Sequence, residues 1–62
     1  MSKQIPEAAT NDLRHTERLL NLIWEATEKG DLGLASARAA LAITHLESFN
    51  AWTTIIARRV EG

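Results

Sequence analysis

Lys29-Gly30-Asp31 constrains this chain more than any other feature, because it is the strong break between two long helix-compatible segments. A lysine in a last turn suits the negative end of the helix dipole. A glycine just after it can adopt the left-handed backbone that ends a helix. Asp31 can then cap the next helix, its carboxylate accepting from N–H groups two or three residues on. Gly33 falls in that helix's first turn, where it costs less than in the interior. A connection of one or two residues forces the flanking helices to run antiparallel and touch. The predicted fold class is all-α: an antiparallel two-helix hairpin that assembles into a four-helix bundle or a larger helical oligomer.

The first helix is expected over about residues 7–29 and the second over about 32–60, in one domain, with residues 1–5 as a flexible arm. Pro6 fits a first turn, and Ser2 or Thr10-Asn11 are candidate caps. Leu13, Leu19, Leu20, Leu22, Ile23, Trp24 and Ala26 project onto one broad face, opposite Arg14, Glu17, Arg18, Asn21, Glu25 and Glu28. Within that face Ala9, Leu13, Thr16, Leu20, Ile23 and Thr27 follow the spacing of a coiled-coil seam. Glu25 and Lys29 are placed for an ion pair one turn apart.

The second helix is apolar on two sides. One seam is Ala35, Ala39, Ala42, Leu46, Phe49, Thr53, Ile56 and Val60. The other is Leu34, Ala37, Leu41, Thr44, Ser48, Trp52 and Ile55, roughly 120° around the helix. One neighbouring helix covers only one stripe. A chain of 62 residues is also small, burying only about 60% of the surface its unfolded form exposes. It has no cysteine, so disulfides and thiolate metal sites are excluded and self-association is the expected remedy. Antiparallel folding about the turn sets residues whose numbers sum to about 61 at one level. That pairs Leu22 with Ala39, Leu19 with Ala42, Ala26 with Ala35 and Arg14 with Glu47. A two-fold symmetric dimer is the simplest closed assembly.

The function classes narrow in the same way. Seven basic and eight acidic residues give a net charge of -1, which offers no overall field for nucleic acid or an anionic membrane. The longest apolar run, Ala39 to Ile43, is far short of the roughly 20 residues of a membrane span. The first residues lack the apolar core of a secretory signal, so a cytoplasmic protein without a membrane partner is expected. No nucleophile–base arrangement, Gly-rich phosphate loop or cofactor motif is present, and an enzyme is not expected. His15 and His45 fall at one level, but no carboxylate is seen to converge on them, so no metal site is predicted.

Two strips remain as candidate contacts. Arg38, His45, Trp52 and Arg59 recur every seven residues as a nearly axial line along the second helix, and Phe49 and Ile56 adjoin it. Arg and Trp are enriched where interfaces carry most energy, so these six residues are the expected partner or oligomer interface. The bland alternative is a solvated edge of a bundle. Arg14, Arg18, Arg58 and Arg59, with Lys3, form a second candidate, an Arg-rich end for RNA or DNA. The gross plan is similar to several unrelated helical hairpins: plasmid-copy-number RNA binders, secretion chaperones and phage-encoded inhibitors. None of their motifs matches here residue by residue. The leading expectation is a non-enzymatic homo-oligomer, a dimer first, that binds another protein as inhibitor, adaptor or chaperone. Nucleic-acid binding is the alternative, and a small-molecule sponge with an intersubunit pocket is the weaker one.

Overall fold

The computed structural model describes residues 5–61, with the side chains of residues 60 and 61 outside that description. The N-terminal arm before Ile5, with the cap candidate Ser2 and the basic Lys3, therefore lies outside the described residues, as does the side chain at the seam position Val60. Two helices fill the rest: α1, Glu7–Glu28, and α2, Leu32–Glu61. They pack against each other as an antiparallel hairpin of 47 × 16 × 14 Å.

The turn is closed by backbone and carboxylate hydrogen bonds. Gly30 takes φ of 79°, the left-handed conformation that a side chain would strain. Its N–H donates to the Thr27 carbonyl at 3.0 Å, and the Asp31 N–H donates to the Ala26 carbonyl at 2.9 Å. These two bonds are a Schellman closure of α1. Asp31 then opens α2: its carboxylate accepts from the Leu34 N–H at 3.2 Å and its carbonyl from the Ala35 N–H at 3.0 Å. One residue thus ends one helix and starts the next, which leaves no slack in the connection.

The start of α1 differs from the expected capping. Pro6 precedes the helix, extended at ψ 148°, with no side-chain cap. Its carbonyl accepts from Ala9 at 3.0 Å and Thr10 at 3.2 Å. Thr10 and Asn11 lie inside the helix, Thr10 turning its hydroxyl back toward the Pro6 carbonyl at 3.5 Å. Proline's fixed φ sets the entry angle by itself, so no polar cap is needed to fix it.

The contact layer is thin. Its buried residues are Ala9 at 0%, Ala26 at 3%, Ala42 at 5% and Thr16 at 5% exposure, and no large side chain among the described residues is fully buried. Thr16 satisfies its hydroxyl by donating to the Asp12 carbonyl at 2.9 Å. The α1 line facing α2 is Ala9, Asp12, Thr16, Leu19, Ile23 and Ala26, whereas Leu13, Leu20 and Thr27 of the expected seam are exposed. On α2 the expected seam holds at Ala35, Ala39, Ala42, Phe49, Thr53 and Ile56, but Leu46 turns outward and His45 takes its place. Alanines let the two backbones approach closely, and that close approach selects which arc of each apolar surface faces inward.

Two expected ion pairs are also missing. Glu25 and Lys29 meet through the backbone, Lys29 N–H to Glu25 carbonyl at 3.1 Å, and Arg14 does not reach Glu47. Among the described residues the ion pair that forms is Asp12 with His45.

Candidate functional site

Asp12 and His15 stand three residues apart on α1, His45 and Ser48 three apart on α2, and three residues along a helix share a side. The antiparallel fold sets the two pairs against each other as a polar clasp across the hairpin. His45 Nδ1 lies 3.3 Å from Asp12 Oδ1, and the His15 and His45 rings stack with centroids 4.8 Å apart and planes 17° apart. The Asp12 and His45 side chains keep only 16% and 31% of their exposure.

The Ser48 hydroxyl first, then His45 by hydrogen bond and charge, holds the Asp12 carboxyl below the ordinary carboxylate range, against the opposing effect of burial. An ionised carboxylate only accepts, so the His45 Nδ1 carries the proton in this contact. The sequence sets Glu47 near the level of the histidines but shows no carboxylate converging on them, and the one that arrives is Asp12. A signal for it exists: Asp12 is one turn before His15, and Ser48 falls at the level of Asp12.

The Ser48 hydroxyl favours the ionised form of the Asp12 carboxyl. Near-parallel stacked rings aim their nitrogens side by side rather than at one point, and no group of three ligating residues forms among those described.

The two broad sides of the hairpin differ. At about 100° per residue, Leu13, Leu20 and Trp24 lie roughly a quarter turn around α1 from its contact line. On the antiparallel neighbour, the residues turned to that same side are Leu32, Ile43 and Leu46. Leu20 is 56%, Trp24 66% and Ile43 55% exposed. Leu20, Ile23, Trp24 and Thr27 line a shallow apolar groove there.

The opposite side carries His15 and Leu22 of α1 beside Leu34, Leu41, Trp52 and Ile55 of α2. Between the helices on that side is a recess lined by Leu22, Glu25, Lys29, Leu34 and Arg38, among others. The Arg38 Nε is buried there without a hydrogen-bond partner.

The expected interface strip is therefore divided. Arg38, His45, Phe49 and Ile56 are half-buried within the hairpin, whereas Trp52 and Arg59 face solvent. Arg14 and Arg18, with Asn11 and His15, line a shallow depression on the outer side of α1. Arg58 and Arg59 lie on α2 some eleven residues beyond the level of Arg14, about 16 Å along the axis. One hairpin does not merge the two pairs into a single basic patch. No protein-family model, curated protein or solved structure matches the chain.

Proposed function

We propose that this chain is a non-enzymatic association protein: a homo-oligomer of helical hairpins that binds another protein as an inhibitor, adaptor or chaperone. The supporting observation concerns the described residues: no large side chain is fully buried, while eleven large apolar ones, from Ile5 to Ile55, are exposed on both sides. Fully burying such a side chain is worth about 1.5–3 kcal/mol, and since these are 39–66% exposed, covering the remainder of one stabilises an assembly by about half that. A lone hairpin therefore lacks most of the burial that its own composition can supply. The membrane offers no substitute as a spanning environment, since no described helix is long and apolar enough to cross it.

Trp52, with Arg38, His45 and Arg59 along one edge, is the contact for the protein partner, and Phe49 and Ile56 support it from inside. Sedimentation of the full chain at micromolar concentration is expected to return a multiple of the chain mass. A mass of one chain would sink the association reading. If Trp52→Ala changes neither assembly mass nor capture of a co-purifying protein, the Trp52 contact is wrong.

A further inference from the structure

We infer that the side carrying Leu13, Leu20 and Trp24 of α1 with Ile43 and Leu46 of α2 is a self-association face that takes a second copy of this chain. The inference rests on the association proposal above and assigns it a surface.

Area gives the first argument. A compact monomer of this length exposes about 4,000 Å², whereas the hairpin exposes 4788 Å². The excess of about 800 Å², spread over the whole elongated hairpin, is of the order that one partner contributes to a standard-size stable interface.

Self-complementarity gives the second. In a two-fold contact each residue near the axis meets its own copy or a close neighbour, so a charge there faces a like charge. The middle of this face carries none: it is leucine, isoleucine and tryptophan, drawn from both helices at matching levels. Glu17, Glu28 and Glu47 stand at its outer edges, where solvent screens them. The opposite side has the Asp12–His45 clasp and Arg38 along its midline, with Arg59 farther out, groups that a second copy would desolvate against themselves. Stacking two hairpins through the apolar side builds a four-helix bundle whose centre holds the large side chains that the single hairpin leaves outside.

Matched charge insertions on the full chain test the assignment. Leu20 on this face and Leu41 on the other are 56% and 55% exposed, so a carboxylate at either position is tolerated equally by the hairpin itself. Wild-type chain is expected to sediment as a dimer. Leu20→Glu is expected to weaken it on the order of a hundredfold, and Leu41→Glu to leave the mass unchanged. Loss of the assembly in Leu41→Glu, or its retention in Leu20→Glu, overturns the face while leaving association standing. A monomeric wild type overturns both.

Should Leu20→Glu lose its helical circular dichroism together with its partner, Trp24 decides. In the Trp52→Phe chain, dilution through the dissociation range is expected to red-shift Trp24 emission and open it to iodide quenching. Emission that does not change while the mass halves overturns the inference.

Discussion

The turn and the contact layer behind it are built on opposite plans. At the turn, Gly30 and Asp31 satisfy the ends of both helices with backbone and carboxylate bonds of 2.9–3.2 Å, all between residues at most five apart. Along the contact layer the buried positions are three alanines and a threonine, joined by one polar clasp. The turn specifies topology by local chemistry and needs no partner to do so. The layer brings the backbones close but buries little apolar volume, so it fixes how the helices meet without supplying much of the energy that holds them. Topology is thus written into the single hairpin, and its contact layer leaves most large apolar side chains exposed.

Overfilling the layer is the severest way to test that division. Ala42→Leu places three extra carbons where the two backbones meet, and is expected to cost about 1–3 kcal/mol. Chemical denaturation at fixed chain concentration measures this, because stability of an assembly depends on concentration. A neutral result would mean that the helices have room to move apart.

The turn should respond more mildly and through backbone alone. A Cβ at Gly30 meets nothing within 4 Å, so Gly30→Ala carries only the conformational penalty of the left-handed region, about 1–2 kcal/mol. Gly30→Asn is expected to recover part of it, since asparagine tolerates that region. Asp31→Ala is expected to cost about 1 kcal/mol as a lost cap, and Asp31→Asn much less. An Asp31→Asn chain as unstable as the alanine variant would show that charge at the helix start matters more than the hydrogen bond.

The same contrast explains what could be read from sequence. The hairpin, its turn and both stripes of α2 were legible, because capping residues and apolar periodicity act locally and leave a pattern in residue order. The inner line on α1 was legible only in part: the level pairing set Leu19 and Ala26 against α2, whereas the seam spacing favoured Leu13, Leu20 and Thr27. Its apolar arc is wide enough to hold two seams that share Ala9, Thr16 and Ile23, and the leucine-rich one looks like the core. The hairpin instead turns Asp12, Leu19 and Ala26 inward and leaves Leu13, Leu20 and Trp24 outside. Small residues permit the close approach, and His45 and Ser48 satisfy the carboxylate that this approach carries inside. That compensation comes from the other helix, so no pattern within α1 records it. The leucine seam on α1 is left exposed, which is how a misplaced core becomes the face proposed for a second copy.

Asp12 offers the finest test, since it is the one charged member of the layer whose titration reports on packing. Its carboxyl is held below the ordinary range by Ser48 and then His45, so the folded state binds its proton more weakly than the unfolded chain does. The stability this contributes is fully present above the ordinary carboxylate range and is lost as pH falls through the lowered folded value. Denaturation midpoints of the wild-type chain and Asp12→Asn, compared between about pH 5 and pH 2, isolate that share from the other carboxylates. The wild type is expected to lose more stability than the variant across this window, with the two converging at the acid end. Ser48→Ala should reduce the difference before any change at His15 does, because the serine hydroxyl is the strongest influence on Asp12 and His15 acts on it only through charge. Parallel pH profiles for wild type and Asp12→Asn would mean that the clasp orients the helices without stabilising them, and the contact layer would then owe its register to the alanines alone.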